Sequence, residues 1–92
     1  MVKVKKECIP VVFRIGGEFQ EPIALFPTIA VGRGLCSSYE HVGQHGGADC
    51  SGIVARTRLA RPSEYRNLKR ELERIGYCLK VLKRAPPRRL QV

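Results

Sequence analysis

Glycine and proline residues divide this sequence into short segments, because they end strands and helices or bend them. Residues 9–15 are rich in β-branched side chains and predict a strand that ends at the glycine pair 16–17. Residues 19–31 contain a second predicted strand, centred on residues 23–26 and bracketed by Pro22 and Pro27, so its ends are expected to be edges or bends. Residues 35–42 predict a third strand beyond the next glycine turn. The first half of the chain is therefore restricted to short strands joined by tight turns.

An amphipathic helix is predicted over residues 62–75. Four apolar residues recur at a 3-4-3 spacing, which places them along one face of a helix: Tyr65, Leu68, Leu72 and Ile75. Pro62 suits the first turn of a helix, and Gly76 suits the position at which a helix stops. This helix is the most clearly defined element of the sequence.

One further helix and one further strand are predicted in the second half. Residues 48–55 favour a short helix that starts near Asp49, although an extended segment is an alternative. Residues 77–84 alternate in polarity and predict a final strand. The order β-β-β-(α)-α-β predicts an α+β fold. We expect a small antiparallel sheet of three to four strands, with one long helix and, if residues 48–55 are helical, one short helix packed on the same face.

The charge of the chain is segregated. The 92 residues include 17 Lys and Arg against eight Asp and Glu, which gives a net charge of +9. Residues 1–55 carry five basic and five acidic groups, whereas residues 56–92 carry twelve basic and three acidic groups. A clustered positive field attracts polyanions, so the predicted partner is nucleic acid or a nucleic-acid-bearing complex. A basic, solvated surface is the alternative.

We expect a single domain over residues 1–92, with residues 1–7 and 85–92 as loose basic tails.

Three arginines lie at i, i+4 and i+8 on the predicted helix, opposite its apolar stripe: Arg66, Arg70 and Arg74. A guanidinium group pairs with phosphate in bidentate fashion, so this row predicts contacts with a polyanion. Basic residues before and after the helix extend the predicted contact surface: Arg56, Arg58 and Lys80. The sequence contains no recognisable base-reading module, which favours contacts with phosphate or shape. A solvated helix face and an acidic protein partner remain alternatives.

A polar, glycine-rich segment at residues 41–49 is the second candidate site. It combines two histidines, a glutamine and an aspartate with three glycines. Such a loop suits contact with a partner, so we include His41, Gln44 and His45 among the predicted partner-binding residues. A glycine turn whose polar side chains satisfy backbone groups is the structural alternative.

Cysteine and histidine spacing around this segment allows a further hypothesis. Cys36, His41, His45 and Cys50 follow the pattern C-x4-H-x3-H-x4-C. Zinc takes four ligands of these types, and a cysteine beside a histidine is also the basis of thiol nucleophiles. A zinc-binding protein or a thiol enzyme is therefore a less favoured alternative to a non-enzymatic binding protein, and we predict neither a metal nor another cofactor.

The cysteines and the apolar segments of the sequence indicate in which cellular compartment the protein is expected. No apolar run approaches the roughly 20 residues of a membrane span, and the basic residues 1–6 are not followed by a signal-peptide segment. We therefore expect the protein in the cytoplasm, where thiols stay reduced. The four cysteines are widely separated and are then expected to be free, small apolar side chains: Cys8, Cys36, Cys50 and Cys78.

The chain resembles a family of small proteins carried by phages, plasmids and other mobile elements, most of which have no assigned function. The most specific part of the resemblance is the segment His-Val-Gly-Gln-His at residues 41–45. The resemblance extends over nearly the whole chain and includes further segments: residues 12–14, 23–27, 38–40, 64–65, 71–72 and 75–77. Cysteines are not part of the family pattern, which argues against the zinc alternative.

A mobile-element origin implies a specific class of function. Small, basic phage proteins include anti-CRISPR proteins, and the resemblance implies an inhibitor of a type I surveillance complex in the bacterial host cytoplasm. Such a protein binds the assembly of Cas proteins and guide RNA and blocks its pairing with target DNA. The alternative is a DNA- or RNA-binding regulator that acts alone.

Overall fold

The computed structural model describes residues 8–40 and 45–83. The predicted tails, residues 1–7 and 85–92, lie outside the described residues. The described part forms six strands and two helices: β1 (Ile9–Gly16), β2 (Phe19–Gly32), β3 (Leu35–Tyr39), β4 (His45–Ala48), α1 (Cys50–Arg56), β5 (Arg58–Leu59), α2 (Pro62–Ile75) and β6 (Leu79–Val81). The α+β class is therefore confirmed.

Strand β1 is the centre of the sheet because other strands pair along both of its edges. The strand order is β4-β3-β2-β1-β5, and β6 also pairs with β1. Strand β2 lies antiparallel along one edge of β1, with Phe13 opposite Ala24. The other edge is shared, since β5 pairs antiparallel with the end of β1 and β6 pairs parallel with its beginning. The chain leaves β5, passes through α2 and returns to the same edge.

The two helices pack on opposite faces of the sheet, so the expectation of helices on one face is wrong. Helix α2 contributes Leu68 and Leu72 to a core that includes Phe13 and Phe26. Helix α1 contributes to a second core on the other face: Ile23, Leu25, Cys36, Ala48, Cys50 and Ile53. Successive residues of a strand point to opposite faces. Because consecutive residues of β2 are apolar, both faces need a cover.

The sheet has six strands where three to four were expected, because two short strands escaped sequence analysis. Strand β4 is half glycine, yet it pairs with β3 through its backbone, and the Ser38 hydroxyl also donates to the carbonyl of Gly46 at 3.2 Å. Strand β5 has only two residues, which pair with Arg14 and Ile15. Neither β4 nor β5 depends on a pattern of apolar side chains, so neither strand can be recognised from alternating apolar residues in the sequence.

Helix α2 has the predicted bounds, with Pro62 in its first turn and Gly76 at its end. The short helix at Asp49 is confirmed as α1, since the Asp49 side chain accepts a hydrogen bond from the backbone of Gly52. Neither helix is long, however: α1 has 7 residues and α2 has 14.

Ile75 was predicted to face the core, but it is 52% exposed because it lies in the last turn. No helix in the described segments is long and apolar enough to cross a membrane.

Two cysteines form a disulfide, which corrects the expectation of four free thiols. Cys8 is joined to Cys78, and their Cα atoms are 4.6 Å apart. The parallel ladder between β1 and β6 begins with Ile9 opposite Leu79, so the residues just before these two strands lie side by side. The remaining two, Cys36 and Cys50, are free and buried as expected.

Gly17, in the turn between β1 and β2, is expected to tolerate no side chain. Its φ is +60°, and a Cβ atom there would lie 2.7 Å from the carbonyl oxygen of Arg56. Gly34 provides the matched control, because its φ is +73° but nothing lies within 4 Å of a Cβ atom. We expect Gly34→Ala to lower the free energy of unfolding by about 1–2 kcal/mol from backbone conformation alone. Gly17→Ala should lose a further ~1–3 kcal/mol to the steric clash. Urea unfolding of both variants measures the difference, and equal losses would contradict the close approach.

Candidate functional site

Helix α2 is fixed on the sheet by aromatic and aliphatic contacts. The Tyr65 ring stacks on Phe13, with centroids 4.4 Å apart and an angle of 9° between the planes. Leu68 and Leu72 are 4% and 0% exposed, respectively. These three side chains set the rotation of the helix about its axis, and the opposite side of the helix therefore faces solvent.

The three predicted arginines lie along that solvent-facing side, and all three are exposed. Their i, i+4, i+8 positions place successive Cα atoms about 6 Å apart along the helix axis, so the row spans about 12 Å. None of the ion pairs within the described residues involves Arg66, Arg70 or Arg74. The structure thus confirms the row as a geometric feature, and we call it the arginine row.

Two glutamates of α2 that are close in sequence to the arginine row make contacts elsewhere. Glu73 pairs with Lys69 at 2.8 Å, on the flank of the helix. Glu71 accepts a hydrogen bond from the hydroxyl of Tyr39 in β3. Like charges four residues apart repel one another on an isolated helix. The packing of α2 on the sheet therefore holds the three positive charges together.

Arg56, Arg58 and Lys80 were predicted to extend the same surface, but the structure places them on other elements. Arg58 in β5 forms a bidentate ion pair with Glu64 at the start of α2, with nitrogen–oxygen distances of 2.9 and 2.7 Å. Arg56 ends α1 and lies 3.8 Å from a carboxylate oxygen of Glu18. Lys80 is exposed on β6. Both arginines thus have acidic partners, unlike the arginine row.

The Arg58–Glu64 pair should make stability depend on pH. Hydrogen bonds from Arg58 and from the backbone of Arg61 lower the pKa of Glu64 from 4.5 to about 2. Because the folded-state pKa is depressed, the stabilisation is fully present above pH 4.5 and is lost as the pH falls towards 2. We expect the urea midpoint of the wild type to fall more steeply across this window than that of Glu64→Gln. Parallel curves for the two proteins would contradict this role.

His45, at the beginning of β4, belongs to an aromatic cluster. Its ring lies edge-on to Tyr39 at 4.6 Å, and its Nε2 atom is 3.3 Å from the hydroxyl of Tyr77. The Tyr77 ring in turn stacks on Phe26 at 5.6 Å. These contacts connect β4 to the segment after α2, and they involve the side chains of Tyr39 and Tyr77. The predicted contact residues His41 and Gln44 lie outside the described residues.

The cysteines and the histidine of the zinc hypothesis lie on different faces of the sheet. Cys36 and Cys50 are buried in the core beneath α1. His45 contacts Tyr39, which belongs to the core beneath α2. Residues 8–40 and 45–83 contain no group of three metal-ligating side chains. The alternation of strand residues therefore separates side chains that the spacing alone brings together.

A cavity on the flank of α2 was not anticipated. Its volume is about 290 Å³, and four of its seven lining residues are glutamates: Glu21, Glu40, Glu64 and Glu71, with Pro22, Asn67 and Leu68. Four of the lining residues lie on α2: Glu64, Asn67, Leu68 and Glu71. The helix therefore carries acidic groups on this flank and arginines on its solvent side. The i, i+3, i+7 spacing of Glu64, Asn67 and Glu71 was the sequence signal for this feature. A polyanion is expected to approach the arginines and to be repelled by the cavity.

Arg14 is a basic residue with an internal structural role that sequence analysis missed. It is 8% exposed, and its guanidinium donates hydrogen bonds to the carbonyls of Val54 and Thr57 and to the Thr57 hydroxyl. These bonds attach the end of α1 to β1. Burial lowers the pKa of this guanidinium from its usual value of 12.5. Arg14 therefore contributes to the fold and not to the exposed basic surface.

No protein-family model, no curated protein and no solved structure matches this chain. The resemblance to mobile-element proteins consequently stays a prediction from the residues quoted for it.

Proposed function

We propose that the protein is a non-enzymatic protein that binds the phosphate backbone of nucleic acid through the arginine row. The observation that carries the proposal is the alignment of Arg66, Arg70 and Arg74 on the exposed side of α2, without acidic partners among the described residues. Ionised donors that have no partner within residues 8–40 and 45–83 are available to phosphate oxygens. Each arginine offers a planar fork of donors that matches a phosphate group.

The dimensions of the row suit a nucleic-acid backbone. Duplex DNA carries one negative charge per ~1.7 Å of its axis, so a length of duplex equal to the row of about 12 Å carries roughly seven phosphate charges on its two strands. Guanidinium contacts with phosphate fix position without reading bases. Binding through this row is therefore expected to depend strongly on salt and weakly on sequence.

The partner in this proposal is a nucleic-acid-bearing complex. A phosphate backbone held within such a complex presents the same chemistry as free nucleic acid, and a protein bound along that backbone obstructs the approach of a second strand. The resemblance stated above favours a type I surveillance complex with its guide RNA as the target. In that form of the proposal, the protein is an anti-CRISPR inhibitor that blocks pairing with target DNA.

A salt titration tests the proposal. Fluorescence anisotropy with a labelled RNA and a random-sequence DNA duplex measures affinity at about 50 and about 200 mM salt. Three phosphate contacts predict a weakening of about 40-fold between these concentrations. Salt-independent binding would contradict the proposal, as would an absence of binding at the lower concentration.

A pull-down from bacterial lysate separates the preferred partner from the alternative. Capture of a protein assembly that is lost after nuclease treatment is expected for a nucleic-acid-bearing complex. Tight, salt-dependent binding to bare nucleic acid, with no captured assembly, is expected for a regulator that acts alone.

A further inference from the structure

Cys36 and Cys50 form a buried pair of free thiols that the proposed function does not use. Cys36 lies opposite Ala48 in the ladder between β3 and β4, and Cys50 follows two residues later at the start of α1. They are 4% and 5% exposed, and both belong to the apolar core beneath α1. Because Cys50 lies only two residues beyond the strand partner of Cys36 and shares its core, the two thiols are neighbours in the fold.

We propose that Cys36 and Cys50 are a redox-active dithiol, which a small oxidant such as hydrogen peroxide converts into a second disulfide. Two thiols that the fold holds side by side in one core react as if at a very high local concentration. The other two cysteines of the chain are already joined, as Cys8–Cys78. The four cysteines thus divide into two spatial pairs, of which one is closed and one is open.

The reaction balances with hydrogen peroxide as the oxidant. The Cys50 thiolate attacks one peroxide oxygen, the O–O bond breaks, and the products are a sulfenic acid on Cys50 and a hydroxide ion, which takes up the proton that the thiol had released and becomes one water molecule. The Cys36 sulfur then attacks the Cys50 sulfur, the S–O bond breaks, and a second water molecule leaves. Two thiols are oxidised to one disulfide, and one peroxide is reduced to two waters.

Hydrogen bonding between the neighbouring thiols makes their pKa values unequal. Donation from Cys36 lowers the pKa of Cys50, while the same bond, together with burial, raises the pKa of Cys36. Since the thiolate is the nucleophile, Cys50 is the sulfur expected to react first. Burial at 4–5% exposure restricts the reaction to small oxidants.

A Cys36–Cys50 disulfide would join β3 covalently to α1, on the face of the sheet opposite α2. The arginine row is on α2 and is not altered by this bond. The redox proposal and the proposed function can therefore fail independently. Oxidation should leave nucleic-acid binding within about twofold and should raise the melting temperature, because the new bond constrains the unfolded chain.

The test uses the folded full-length protein treated with hydrogen peroxide. After the peroxide is removed, the chain is unfolded with a maleimide present, digested and analysed by mass spectrometry. We expect a cross-linked peptide pair containing Cys36 and Cys50, lighter by two hydrogen atoms and reversible with dithiothreitol. At equilibrium in a glutathione redox buffer, protein unfolded in guanidinium should form this cross-link at least about tenfold less readily than the folded protein, because the two thiols are then no longer held together.

Single variants and a matched control complete the experiment. Cys36→Ala should leave a sulfenic acid on Cys50 that dimedone traps once the chain is unfolded, whereas Cys50→Ala should leave Cys36 largely reduced. The double variant Cys8→Ala with Cys78→Ala should still form the Cys36–Cys50 cross-link. Maleimide labelling of both cysteines after peroxide treatment would overturn the proposal, as would a cross-link that forms equally readily in the unfolded chain. The comparison of folded and unfolded wild type decides the question even if an alanine variant does not fold.

Discussion

Replacing Arg66, Arg70 and Arg74 together with glutamate should abolish binding to nucleic acid at physiological salt. The change lowers the net charge by six, from +9 to +3, and turns every attractive contact of the arginine row into repulsion. All three side chains are exposed, so the fold should be unaffected. Fluorescence anisotropy gives the loss of affinity, and circular dichroism with urea unfolding checks that α2 is intact.

A matched pair of double variants separates the effect of the position of the arginines on nucleic-acid binding from the effect of net charge. The first double variant combines Arg66→Glu with Arg74→Glu, and the second combines Arg33→Glu with Lys83→Glu. Each double variant lowers the net charge by four, from +9 to +5. Arg33 and Lys83 are exposed and lie outside α2. We expect the first double variant to weaken binding at least about tenfold more than the second, since direct phosphate contacts outweigh long-range attraction at physiological salt. Equal losses would show that the binding depends on overall charge and not on the arginine row.

Phe13→Ala should have the largest effect on stability. Phe13 is 1% exposed, and its ring stacks on Tyr65 of α2. Removing a buried phenylalanine costs ~3–5 kcal/mol through lost apolar contacts and the cavity left behind. This is a large share of the ~5–15 kcal/mol that stabilises a typical protein. The arginine row would then lose its position, because the same contact holds α2 on the sheet.

Urea unfolding followed by circular dichroism measures this loss. Phe19→Ala is the control, because Phe19 is only partly buried and packs against the other core. We expect the control to lose less than half as much free energy of unfolding as Phe13→Ala. Similar midpoints for both variants would contradict the assignment of Phe13 as the contact that holds α2.

The bounds of α2 could be predicted because each of its signals is local. The apolar period, Pro62 and Gly76 all lie within or next to the helix, and the structure has the helix over the predicted residues. Strands β4 and β5 could not be predicted in this way, since each is formed by backbone pairing with another strand, β3 and β1 respectively. The two-sided sheet was also missed, although the consecutive apolar residues 23–26 of β2 contain the signal for it.

The candidate site shows the same division between local and distant determinants. The spacing of Arg66, Arg70 and Arg74 is a property of one helix, so their alignment followed from the sequence. The pairing of Arg56 with Glu18 depends on how the fold brings β1, β2 and α1 together. The Cys8–Cys78 disulfide depends on a parallel pairing between strands at the two ends of the described chain. Sequence spacing contains no record of such long-range contacts.

The salt dependence of nucleic-acid binding tests the central claim most directly. The logarithm of the affinity falls linearly with the logarithm of the salt concentration, with a slope of about −0.9 for each phosphate contacted on duplex DNA. Replacing Arg66, Arg70 and Arg74 with glutamine keeps the helix and removes three charges. We predict that this variant has a slope about 2.7 smaller in magnitude than that of the wild type. An unchanged slope would show that the arginine row does not contact phosphate.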